Sequence, residues 1–142
     1  MIILDTDVLS ALMRERPELV IEKWLDRQPR ESIWTTSVTI LEIRFGIALM
    51  PLGRRRARLQ REFEATLDQT LEGRVISFDV AAAEATAKLM AARRQSGRTG
   101  ALSDSMIAGI AIARRATLAT RNTRHFADLP VPVVDPGRLT TG

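Results

Sequence analysis

The stretch Ile2-Ile3-Leu4-Asp5-Thr6-Asp7-Val8-Leu9-Ser10 decides the fold. Its apolar opening reads as a short buried strand that ends on an acid, Asp5. From Asp7 onward, Val8, Leu9, Leu12 and Met13 recur at helical spacing. A strand that turns into a helix within two residues opens a βα unit, with Asp7 placed as the helix N-cap. Asp5 then stands at the carboxyl end of a strand, the edge where open α/β sheets bind their ligands.

The rest of the chain repeats this alternation. The first helix should end near Arg16-Pro17, because proline disfavours helix in the residue before it. Pro17 suits the first position of a second helix, which carries Leu19, Val20, Trp24 and Leu25 and stops near Pro29. Ile33-Trp34-Thr35-Thr36 is a β-branched and aromatic strand. Ser37 then caps a helix bearing Val38, Ile40, Leu41, Phe45, Leu49 and Met50, broken by Pro51 and Gly53. Further helices are expected over 54–71, from 79 to about 95, and over 103–115, with Asp79 capping the second. Further strands are expected over 75–78, 117–120 and 131–134. Five strands alternating with helices predict one three-layer α/β domain over residues 1–142, its parallel sheet covered on both faces. Trp24 and Trp34 read as core.

Composition narrows the function. There is no cysteine, which excludes disulfides, thiolate catalysis and zinc–thiolate sites and fits a reducing compartment. No apolar run approaches the roughly 20 residues of a membrane helix, and no targeting segment is visible, so a soluble cytoplasmic protein is expected. Of the 21 basic residues only Lys23 and Lys88 are lysine, so 21 − 2 = 19 are arginine. Arginine suits bidentate phosphate contacts. A coding bias gives the same count, so composition alone does not make a nucleic-acid binder.

Four polar residues carry the chemistry: Asp5, Glu42, Asp104 and Asn122. Each has a plain structural reading. Asp5 fits a strand-to-helix turn, Glu42 a solvated helix position, Asp104 a first-turn acid favoured by the helix dipole, and Asn122 a turn. Yet all four follow strand ends or open helices, positions that converge on one edge of an α/β sheet. Three carboxylates gathered there repel one another unless a cation or protons neutralise them, and oxygen ligands suit Mg²⁺ or Mn²⁺. Metal-dependent chemistry on a phosphate follows.

The residues around these positions resemble a known family. Ile-Leu-Asp-Thr-Asp-Val-Leu-Ser at Asp5, Ser-Val-Thr-Ile-Leu-Glu-Ile-Arg-Phe-Gly at Glu42, Leu-Ser-Asp-Ser-Met-Ile-Ala at Asp104 and Thr-Arg-Asn-Thr-Arg-His-Phe at Asn122 are similar to the PIN-domain ribonucleases. The likeness is strongest to the VapC or FitB-type toxins of bacterial toxin–antitoxin pairs, and it runs from Ile2 to about Pro136. It implies a parallel sheet of order 3-2-1-4-5, with Asp5 and Asn122 flanking the switch point. It also implies a metal-dependent endoribonuclease. Asp5 and Asp104 would be its principal Mg²⁺ or Mn²⁺ ligands, Glu42 a ligand directly or through water, and Asn122 a residue that positions water. Many relatives have an acid where this chain has Asn122, and the amide brings no charge to a second cation. The resemblance further implies a cognate antitoxin, which often binds DNA itself, and a homodimer or toxin–antitoxin hetero-oligomer.

Other features are weighed against this. Arg54, Arg55, Arg56, Arg58 and Arg61 form the densest basic run, either a solvated face or an RNA contact; Arg121 and Arg124 lie nearer the proposed site and suit phosphate. Leu12, Met13, Leu49 and Met50 fit either core or a dimer surface. His125, the one histidine, reads as a loop residue ahead of core-directed Phe126 rather than as a general base. A rival enzyme class is also visible. Asp5-Thr6-Asp7-Val8 resembles the first motif of haloacid-dehalogenase-type phosphatases, whose first aspartate is a nucleophile. That family needs a lysine in mid-chain, and neither Lys23 nor Lys88 falls at a strand end. A non-catalytic RNA- or protein-binding module is the third reading.

Overall fold

The computed structural model describes residues 1–138. β1 (Ile2–Leu4) leads through Asp5 into α1 (Thr6–Leu12), and α2 (Leu19–Asp26) follows. β2 (Ile33–Thr36), α3 (Ser37–Ala48), α4 (Arg54–Ala65) and β3 (Val75–Ile76) form the next crossover. After these come α5 (Val80–Gln95), α6 (Leu102–Arg114), β4 (Thr117–Ala119) and β5 (Val133–Val134). The strands form one sheet of order β3-β2-β1-β4-β5, parallel at every pairing. This is the architecture and strand order expected.

Side-chain alternation along the strands divides the interior in two. Ile3 on β1 and its register partner Leu118 on β4 face α5 and α6, joining Val38, Ile107, Ile110 and Phe126. Their neighbours Leu4 and Ala119 face the opposite side, where Val8, Leu9, Ile21, Ile43 and Phe63 bring in α1 to α4. Both layers are therefore anchored on consecutive residues of the central strand. Trp34 packs on the first cluster and Trp24 on the second, each half-buried rather than enclosed. Among the described residues no helix is long and apolar enough to cross a membrane.

Several local expectations are corrected. The cap of α1 is Asp5, whose Oδ1 accepts from the Val8 amide at 2.9 Å; Asp7 lies in the first turn and is exposed. Thr36, not Ser37, caps α3 by accepting from the Thr39 amide, while the Ser37 hydroxyl accepts from the Phe78 amide. α2 starts at Leu19 behind Glu18, so Pro17 lies outside it. The helix expected over 54–71 is α-helical only to Ala65 and finishes as a π-helical turn, Thr66–Thr70. β3 and β5 each shrink to two residues. Met13 is core, whereas Leu49 is exposed.

The α5–α6 contact depends on one absent side chain. A Cβ on Gly109 would lie 1.8 Å from Thr86 Oγ1 and 2.9 Å from the Ala82 carbonyl oxygen. Gly109→Ala is therefore expected to destabilise the fold by about 1–3 kcal/mol through overpacking. Gly46→Ala on α3, where a Cβ meets nothing within 4 Å, should instead stabilise by up to about 1 kcal/mol. Urea unfolding midpoints of the two variants check this; a Gly109→Ala protein as stable as the parent would contradict the packing described.

Candidate active site

At the carboxyl end of β1 the chain buries a charge. Asp5 is 8% exposed, because its backbone amide continues the ladder to the Ala119 carbonyl while its side chain caps α1. Burial pushes its carboxyl up from the ordinary value of 3.8 to about 6. Hydrogen bonds from the Thr120 hydroxyl and the Val8 amide pull it down, and the charges of Asp7 and Asp104 push it further up.

Three other elements bring their acids and amide to the same place. Glu42, on α3, accepts from the Thr6 hydroxyl at 2.6 Å, and Thr6 Oγ1 lies 3.2 Å from Thr39 Oγ1. Asp104 stands in the first turn of α6. Its carboxyl is raised by burial and by the charge of Glu42, against the opposing charges of His125 and Arg93. Asn122 follows β4, and its backbone N–H donates to Thr120 Oγ1 at 3.1 Å. Asp5, Glu42, Asp104 and Asn122 all line one cavity of about 410 Å³, with Thr6, Asp7, Ser10, Thr120 and Phe126. The four residues singled out in the sequence thus share one site.

Thr6, Thr39 and Thr120 were missed. Each is a small hydroxyl at a strand end or in a first helical turn, and sequence reading assigns such residues to caps before it assigns them to sites. Thr120 closing the apolar run Thr117-Leu118-Ala119 was the one visible signal.

The arginines divide. Arg121 is held by acids, 2.8 Å from Glu18 and 3.5 Å from Asp7. Arg124 is exposed and forms no ion pair among the described residues. Of the basic run, Arg55 and Arg58 reach a second groove of about 370 Å³, together with Arg14. That groove shares Thr6, Ser10 and Glu42 with the acidic cavity and is floored by Met13, Ile43, Ile47 and Leu59. Arg56 is spent on the Met50 carbonyl, while Arg54 and Arg61 point to solvent. Neither lysine lines the acidic cavity, and Lys23 and Lys88 are exposed on α2 and α5.

The donor set suits a hard cation. Asp5 and Glu42 have no lysine or arginine partner among the described residues, and the nearest basic group to Asp104 is His125, whose Nε2 lies 3.8 Å from Oδ2. Asp5 and Glu42 are left without a protein counter-charge, and Asp104 is offset only in part by His125 and Arg93. Among the described residues no group of three acidic or imidazole side chains is closed tightly enough to hold an ion as it stands. Glu42, tied back to Thr6, is already engaged.

Known proteins match nearly the whole chain. The PIN domain family model covers residues 2–132. The chain is 37% identical over 136 residues to VapC ribonuclease Y4jK of Sinorhizobium fredii, spanning 96% of this chain and 97% of that one. It is 32% identical to toxin FitB of Neisseria gonorrhoeae over 96% and 98% of the two chains. A chain in the structure of FitAB bound to an IR36 DNA fragment superposes with a TM-score of 0.88 at 31% identity, covering 99% of both chains. This chain belongs to the PIN-domain family and is related to its VapC and FitB toxins.

Proposed function

We propose that this protein is a metal-dependent endoribonuclease toxin, a single cytoplasmic nuclease domain held in check by a cognate antitoxin. The observation that carries the reading is the convergence of Asp5, Glu42 and Asp104, drawn from three separate elements, on one cavity with no lysine or arginine paired to any of them among the described residues. The relatives named as a VapC ribonuclease and a toxin support RNA as substrate. The FitAB complex on DNA supports a partner chain that carries DNA binding.

In this reading Asp5 and Asp104 hold Mg²⁺ or Mn²⁺, and Glu42 joins them directly or through water once its bond to Thr6 is exchanged. The chemistry such an ion supplies when bound is a water of lowered pKa and charge stabilisation on the scissile phosphate. Asn122 orients water at the rim and adds no charge, so the site suits one firmly held ion. Thr120 and the Val8 amide hold the Asp5 carboxylate in place. Arg14, Arg55 and Arg58 give the adjoining groove the positive charge that an RNA backbone needs, and Arg124 is free to meet phosphate.

A phosphatase that uses Asp5 as nucleophile is disfavoured, because no lysine reaches the cavity. Asp104→Asn, purified and folded, is expected to lose cleavage of RNA by at least about 100-fold, since the variant keeps its shape but not its charge. Undiminished cleavage would overturn the assignment. Tight Mn²⁺ binding by the parent with no cleavage of any RNA would favour the binding module instead.

Asp5 also makes stability and activity oppose each other. Its folded pKa of about 6 lies above the unfolded value, so the folded state holds the extra proton between about pH 4 and 6. Stability from this group is therefore present at low pH, is lost as pH rises through 6, and is flat above that. The penalty at neutral pH is at most roughly 3 kcal/mol, at 1.36 kcal/mol for each pH unit. Asp5→Asn keeps the cap acceptor and removes the charge. In chelator at pH 7.5 it should melt at a higher temperature than the parent, and with metal supplied it should lose the cleavage that the parent shows. Melting curves of both proteins from pH 4 to 8 check this; a less stable variant at neutral pH would contradict it.

A further inference from the structure

His125 is built into its position more firmly than a loop residue needs. It lies in a single 3-10 turn, Thr123–Phe126, that α5 grips from behind. Arg93 on α5 is only 4% exposed, and its Nη2 donates to the His125 carbonyl at 2.9 Å. The same guanidinium makes a two-pronged ion pair with Asp128, at 2.9 and 3.0 Å, and so fixes both sides of the turn. The His125 ring stands edge-on to Phe126, with centroids 4.9 Å apart.

On its far side the imidazole lies against Gly100. A Cβ at that position would come within 2.7 Å of Cε1 and 3.0 Å of Nε2. The loop before α6 passes so close that a side chain at Gly100 would have to displace the ring. All this ordering serves an Nε2 that is buried and has no hydrogen-bond partner, with Asp104 Oδ2 at 3.8 Å. An orphaned buried nitrogen costs about 1–3 kcal/mol, so a fold that clamps one beside a carboxylate does so for a reason other than its own stability.

We infer that His125 is a positioning residue for the proposed metal site: seated against Gly100, its Nε2–H holds Oδ2 of Asp104 and leaves that carboxylate turned towards the cavity. The inference rests on the reading of Asp104 as a metal ligand. At 3.8 Å the pair is longer than a hydrogen bond, and a small rotation of the carboxylate completes it. The neutral imidazole suffices, since one N–H is all the contact needs. Outer partners of this kind orient a ligating carboxylate, and their loss typically weakens metal binding by about 10–100-fold. The chemical step is not routed through the ring, so turnover at saturating metal is left near normal.

The test is Mn²⁺ binding to the metal-free protein, followed by calorimetry, beside the Mn²⁺ dependence of RNA cleavage. His125→Ala is expected to weaken binding by about 10–100-fold and to raise half-saturating Mn²⁺ to match, with the maximal rate little changed. His125→Gln, whose amide nitrogen reaches the same point, should recover most of the affinity. Gly100→Val should reproduce the loss with the histidine still present, by displacing the ring. Wild-type affinity in His125→Ala or in Gly100→Val, or no recovery in His125→Gln, would overturn the inference. Failure of the parent itself to bind Mn²⁺ would overturn the metal reading as a whole, a distinguishable result. Melting curves in chelator show which variants are folded.

Discussion

The Asp5 carboxylate, buried at the carboxyl end of β1 with no counter-charge, is the interaction on which the rest of this edge depends. Its backbone is fixed twice, by the ladder to Ala119 and by the start of α1. The carboxylate therefore cannot swing out to water without uncapping a helix and disturbing the central strand. Thr120 and the Val8 amide give the ion hydrogen bonds, yet burial still wins and its pKa rises to about 6. A charge so placed is a liability that the proposed cation would relieve. The arrival of Asp104 and Glu42 in the same cavity increases the liability rather than relieving it. Such spending of stability at a site is the ordinary signature of function.

The scaffold makes this possible by splitting its core across β1. Ile3 and Leu4 anchor opposite layers, so the residue after them is placed with the rigidity of both. α6 then brings Asp104 in from one layer and α3 brings Glu42 from the other. The two carboxylates meet at Asp5 because α3 and α6 both begin at the carboxyl edge of the parallel sheet and touch one another there. Close packing of α5 on α6 through Gly109 and the Arg93 clamp on the 123–128 turn fix the remaining wall.

Much of this was legible in the sequence. Alternating strand and helix periods gave the layers, and Asp5, Glu42, Asp104 and Asn122 stood out because each sits where an element starts or ends. The likeness of their flanking residues to one family ordered the strands, which periodicity alone does not do. Local capping was misread. Asp5 and Asp7 are both acceptable caps, and only the three-dimensional path of the turn decides that Asp5 takes the Val8 amide. Ser37 and Thr36 pose the same ambiguity. The short lengths of β3 and β5 were hidden because their apolar residues continue into the core beyond the hydrogen-bonded ladder. Arg121 looked like a phosphate contact by its position, but Glu18, more than 100 residues away in sequence, already holds it.

Least legible was the environment of His125. Its sequence neighbours explain Phe126 and say nothing of Gly100 or Arg93, which lie in another helix and another loop. Yet the three are physically one device. Arg93 sets the turn, Gly100 gives the ring its space, and Asp104 is the nearest acceptor left to it. The acidic cavity therefore has two kinds of wall. On the α1 and α3 side, the Thr6 hydroxyl, itself beside Thr39, holds Glu42 with an exchangeable hydrogen bond, which suits a ligand that adjusts. On the α5 and α6 side, a buried guanidinium and a glycine hold an imidazole with little freedom, which suits a ligand that does not. Under the proposed reading this asymmetry suits a single-ion site with an uncharged fourth position: two carboxylates to define the ion, and a third that can yield to water or substrate.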